Sequence, residues 1–145
     1  MQCSILSLTT ESFTTGGQDI AGSLAKSIFN IHYNMIKRRI SNQEIILIDH
    51  LLKLVSEEYN IPKEVEELKD GNMGSIRFVD IQQSFPRKYL RDLIQVSYSD
   101  FDEIVVLVTL TLDNFNNLFE LEFWKTDFSA LIEYPRPEQV QITTT

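Results

Sequence analysis

The residues of this chain best placed to do chemistry lie in "LFELEFWKTDFSALIEYP", Leu118 to Pro135. Its first half alternates apolar and acidic residues, the period of a strand with one buried face. On such a strand Glu120, Glu122, Trp124 and Thr126 point one way, and Phe119, Leu121 and Phe123 point the other. The two carboxylates then stand roughly 7 Å apart, a spacing compatible with the acid pair of a glycosidase. A flat sheet face on a small protein offers little cleft, however. Recognition is the better reading, because Trp is enriched at binding hot spots and an acidic rim selects a basic partner. Thr109 and Thr111 of the preceding strand share that face. The expected partner-binding residues are therefore Trp124, Glu120, Glu122, Thr109 and Thr111. For Trp124 itself the weightier reading is structural, with the ring simply covering Leu107 and Val105 under an N-terminal helix. Lys125 and Asp127 fall in register with the apolar row beyond Phe123 and are expected to snorkel or to pair, with each other or with Arg77, in a structural role.

Other chemistry is not spelled out. The histidines, His32 and His50, sit in no pattern with metal-ligand spacing. G-x-S-x-G, H-E-x-x-H and P-loop signatures do not occur. Asp100, Asp102 and Glu103 in "SYSDFDE" loosely match a calcium loop but lack its glycine and terminal Glu, so a hairpin turn is expected. Gly71 and Gly74 match no nucleotide motif and read as turn residues. The expectation is no catalytic residue, no metal, no cofactor and no enzymatic activity.

The chain has 145 residues, 43% hydrophobic and 23% charged, enough for one domain with a modest core. Its formal charge of −8 repels phosphate backbones, so nucleic acid is not expected; it suits a solvated surface first, and a basic protein partner as the alternative. The single cysteine, Cys3, can form neither an internal disulfide nor a cysteine-based zinc site, which favours a reducing compartment. No apolar run approaches the roughly 20 residues that cross a bilayer, and the first residues make a poor secretion signal. A cytoplasmic location and no membrane partner follow as expectations.

The elements that must position these residues begin after a lead segment. Residues 1–34 read as a loosely ordered extension with an amphipathic helix over 20–34, where Ile20, Leu24, Ile28 and Ile31 recur at helical spacing. Met35 is a candidate natural start; the alternative is a helix docked on the body. Residues 35–142 read as a single α+β domain. A helix is expected from Asn42 to Tyr59, opened by a Ser41/Glu44 capping box and stopped by Asn60 and Pro62. Its apolar stripe is Ile45, Ile48, Leu52, Val55 and Tyr59, with Leu47 and Leu51 beside it and His50 at the edge. The segment "PKEVEELKDGNMGS" reads as acidic turns. Strand-like runs follow at Ser75–Ile81, Asp92–Asp100, Glu103–Asp113 and Leu118–Thr126, the last three joined by short Asp/Asn-rich turns. The predicted fold is an antiparallel four-stranded meander with the long helix packed on one face. Phe128 and Leu131 are expected to fold back on the core, with an extended tail after Pro135 and Pro137.

"GNMGSIRF" followed by "VTLTLDNFNNLFELEFWKTDFSALIEYPRPEQV" resembles an uncharacterised family of small acidic bacterial proteins. Its pattern is an I-S-N-Q-E-like helix cap, a G-S-[IL]-R-F strand and a closing L-F-E-L-x-x-W-K-x-D-F-S-x-L. The resemblance covers Ile36 to Val140, and it implies no activity. By analogy of size and charge, such proteins suggest an immunity-type inhibitor of a bacterial toxin. The expected function is a non-enzymatic protein-binding domain of that kind; the alternative is a structural or self-associating domain.

Overall fold

In a computed structural model, which describes residues 35–79 and 85–143, Ser41 opens the helix α1 (Asn42–Val55). The Ser41 hydroxyl accepts from the Glu44 amide at 3.2 Å, and the Glu44 carboxylate accepts from the Ser41 amide at 2.8 Å. This is the predicted capping box, satisfying two helix-end amides at once. The Glu44 carboxylate is buried and also accepts from Nη1 and Nη2 of Arg38, so the cap ties the helix to the preceding strand. The helix ends four residues before the predicted Tyr59, at Val55, because Ser56 turns left-handed (φ 57°) and its amide closes on the Leu52 and Lys53 carbonyls. The buried stripe is Leu47, Ile48, Leu51 and Leu52, while Ile45 faces solvent. The expectations for residues 1–34 lie outside the described residues.

The sheet has seven strands: β1 (Lys37–Arg39), β2 (Glu64–Glu67), β3 (Ile76–Phe78), β4 (Tyr89–Ser99), β5 (Val105–Asp113), β6 (Leu118–Lys125) and β7 (Gln141–Ile142). Every pairing is antiparallel, in the order β1-β2-β3-β6-β5-β4-β7. The α+β class stands, but the four-stranded meander does not. Only β4-β5-β6 is a meander. β3 pairs with β6 rather than β4, which makes the order of β3 to β6 a Greek key. The three unpredicted strands are short and carry almost no apolar period. In the "acidic turn" segment β2 buries Val65 alone among glutamates. Their strand state comes from tertiary pairing, not propensity. A 3-10 turn (Pro137–Gln139) precedes β7, so the tail is not simply extended.

One apolar core joins α1 to the sheet: Leu47, Ile48, Leu51 and Leu52 cluster with Val106, Val108, Leu110, Leu112, Leu121 and Phe123. The predicted inward row of β5 from Val106 to Leu112 is correct, and so is Ile94, Val96 and Tyr98 on β4. The predicted row of β6 is wrong at one residue. Leu110 pairs with Leu121 and Leu112 with Leu118, so Thr111 alone faces both Phe119 and Glu120. This bulge shifts the side-chain alternation by one. Leu118 therefore enters the core, and Phe119 turns to the opposite face beneath the Arg77 and Arg87 guanidiniums. Register shifts of the same kind fall at Leu90 and Leu93 on β4.

Candidate functional site

β6 carries two different polar constructions on its two faces. On the core face stands Lys125, whose side chain has no solvent exposure. Its ammonium donates to Asp100 Oδ2 at 2.8 Å, Asp102 Oδ2 at 2.7 Å and the Ala130 carbonyl at 3.2 Å. Asp100 is equally buried and accepts in addition the amides of Phe101, Ile132 and Glu133. Burial opposes ionisation of Asp100, but Lys125 and those amides outweigh it and hold the carboxyl down at about 2. Burial likewise disfavours the Lys125 charge, and the two carboxylates reverse that, raising its pKa. The construction clasps the segment after β6 against the β4–β5 turn. The expected pairing of Lys125 with Asp127, or of Asp127 with Arg77, does not occur, although Lys125 does pair structurally. Asp127 instead accepts from Ser129, and Arg77 lies on the other face. The acids of "SYSDFDE" form the expected turn, with Asp100 and Asp102 bound to Lys125.

On the opposite face a trough of about 670 Å³ crosses the sheet. Its floor is Leu107, Thr109, Glu120, Glu122 and Trp124, and its ends are the Leu68–Met73 turn and Asp92. Of the five expected site residues, the structure brings four together here. Thr111 does not line the trough. It is buried at the bulge, where its hydroxyl accepts from the Glu120 amide at 3.0 Å and donates to the Glu120 carbonyl at 3.3 Å. Thr109 is also buried, but its hydroxyl accepts from Gln95 Nε2 at 3.0 Å within the trough lining. Glu120 binds Arg77, its cross-strand neighbour on β3, with Nε at 2.7 Å and Nη2 on the same oxygen. Glu122 is exposed and makes no ion pair among the described residues. Desolvation, then the hydrogen bond and charge of Glu120, push its carboxyl up to about 7.

Trp124 is 51% exposed and lies opposite Leu107 on β5, next to Val105, which is 43% exposed; the expectation of an N-terminal helix over it falls outside the described residues. Its ring meets the Phe128 ring at 5.9 Å, tilted by 42°. Phe128 is 70% exposed and holds a left-handed backbone (φ 65°), a costly conformation for a bulky side chain. The expected return of Phe128 to the core does not occur, because this backbone turns it outward. Leu131 does pack against the core. Sequence reasoning missed Phe128, Arg77, Asp92 and Gln95. Arg77 and Glu120 face each other only in the Greek-key order, and Phe128 is set by a turn whose signal, Asp127 and Ser129 around it, is weak. Among the described residues no cluster of three His, Cys, Asp or Glu side chains could hold a metal, and no helix is long and apolar enough to cross a membrane.

The family model of a domain of unknown function, DUF6984, matches residues 37–135. The chain belongs to this family. The DUF6984 match begins at β1 and ends before the 3-10 turn, so every residue lining the trough and every partner of Lys125 falls within it. No curated protein and no solved structure matches the chain.

Proposed function

We propose that this DUF6984 chain is a non-enzymatic protein-binding domain that takes a basic partner on the trough face of its sheet. The observation that carries the reading is the outward aromatic pair, Trp124 and Phe128, in contact with each other beside Glu122 and half or more exposed among the described residues. Exposed aromatics in a partly polar surround are what interface hot spots are made of. Four carboxylates and two cations line the trough, and the whole chain carries −8, so both the local and the global field attract a cationic protein. Neutralisation of a basic toxin, as an immunity-type inhibitor does, is the specific form of binding that small size and charge favour.

The test is a photo-crosslinking amino acid placed at position 124 of the full chain in its native host. A product of defined mass should form, vanish with Glu122→Lys, and be absent when the same probe stands at the exposed Ile46 on α1. No product at 124, or the same product from both positions, refutes the assignment.

A further inference from the structure

What the trough recognises can be read from what β6 already does elsewhere. The Phe119 ring carries the Arg77 guanidinium 5.2 Å from its centre, and Arg77 is bound to Glu120. The same ring carries Arg87 at 5.2 Å, and Arg87 is bound to Asp113 at 2.7 Å. The fold has thus twice assembled one constellation of an aromatic ring, a guanidinium over it and a carboxylate beside it. Farther along the same face of β6, Glu122 and Trp124 repeat the carboxylate and the ring. Among the described residues no cation pairs with Glu122 or lies over Trp124. The cations lining the trough are Lys69 and Arg77, and Arg77 is committed to Glu120.

We infer that the Trp124–Glu122 end of the trough receives an arginine side chain of the partner, its guanidinium stacked on the indole and hydrogen-bonded to the Glu122 carboxylate. This rests on the protein-binding reading and names its chemistry. Arginine fits better than lysine because a planar guanidinium stacks on an aromatic face while donating in-plane bonds to a carboxylate, and an ammonium offers only a point charge. The trough is large enough for the whole side chain. The charge count agrees, since Asp70, Asp92, Glu120 and Glu122 face Lys69 and Arg77 there, an excess of acid at the aromatic pair. Desolvation is the first cause of the raised Glu122 pKa, and the neighbouring carboxylates of Glu120 and Asp92 add to it; a guanidinium would relieve that second part. Affinity should therefore strengthen as pH rises through about 7.

The probe is an unstructured peptide of alternating arginine and serine, titrated into the full chain at moderate salt and followed by the fluorescence of Trp124, the sole tryptophan. Its lysine and citrulline counterparts are the controls. The arginine peptide should give a saturable change. The lysine peptide should bind about three-fold more weakly, and the neutral citrulline peptide should not saturate. Glu122→Gln should weaken the arginine peptide about three- to five-fold, whereas Glu138→Gln, remote from the trough lining, should leave it unchanged. Equal binding of the citrulline peptide, or equal loss with both variants, overturns the inference. A partner crosslinked at position 124 with no preference for arginine also overturns it and leaves the protein-binding reading standing. Saturable arginine binding with no crosslinked partner does the reverse.

Discussion

Lys125 and Trp124 are adjacent on β6, and the two faces of the strand treat their polar neighbours in opposite ways. On the core face every charge is answered: one ammonium, two carboxylates, a carbonyl and three amides form a closed set around Lys125 and Asp100. On the trough face Glu122 is exposed without an ion pair among the described residues, beside an indole that is half in water. A closed set holds the fold and has nothing left to offer a ligand. An open one adds little to stability and keeps its bonding capacity. Burial and charge by themselves would have favoured Lys125 as the site; the proposal rests on Trp124 because the bonding inventory around Lys125 is complete.

The contrast can be broken most forcefully on the closed side. Asp100→Ala removes the carboxylate that binds Lys125 and three amides, and should cost about 3–5 kcal/mol in urea unfolding. A loss below about 1 kcal/mol would show that the clasp is not closed as described. Trp124→Ala on the open side should change stability by less than about 1 kcal/mol, while abolishing the arginine-peptide response measured by calorimetry. Phe128→Gly should be neutral or stabilising by up to about 1 kcal/mol, since glycine accepts the left-handed backbone that phenylalanine resists. It should also weaken binding.

The smaller effects lie in pH dependence, and the two faces should slope in opposite directions. Asp100 is held near 2, below its ordinary 3.8, so its contribution to stability is complete above about 4 and is lost as pH falls towards 2. Glu122 is raised from 4.5 to about 7, so the folded state holds a proton there that the unfolded chain has lost. Its contribution is present below about 4.5 and fades as pH rises towards 7. Asp100→Asn should flatten the acid limb of a melting-temperature profile, and Glu122→Gln the limb approaching neutrality. Identical profiles for wild type and Glu122→Gln would mean that its carboxyl is ordinarily solvated. The smallest effect belongs to Tyr134, which stacks on Phe123 at 5.3 Å and whose buried hydroxyl has no partner among the described residues. Tyr134→Phe should fall within about 1 kcal/mol of neutral, on the stabilising side.

What could be read in advance followed the range of the interactions involved. The start of α1 was legible because Ser41 and Glu44 complete each other within one turn. The hairpins β4–β5 and β5–β6 were legible because Asp- and Asn-rich turns act locally, and the rows of β4 and β5 because alternation is a property of a single strand. The position of β3 was not, since nothing near Arg77 states that Glu120 will lie opposite it. Phe119 was misplaced because a bulge is decided by two strands together, and Thr111 marks it only once they are paired. Lys125 looked like a residue leaving the core because its partners lie in a turn more than twenty residues away. Four of the five candidate site residues lie together, and the fifth became part of the bulge that aims Glu120.

The register shifts on β4 have a consequence for how this molecule behaves when crowded. Among the described residues β7 covers β4 only at Val96 and Ser97, and much of the outer edge of this eleven-residue strand, from Tyr89 to Ile94, has no β-partner there. An even edge of that length would template strands from other copies and invite fibres. The extra residues at Leu90 and Leu93 upset the two-residue step of donors and acceptors, and Lys88 and Arg91 place charge along it. A chain that offers a sticky aromatic pair on one face thus keeps its sheet from growing at the side.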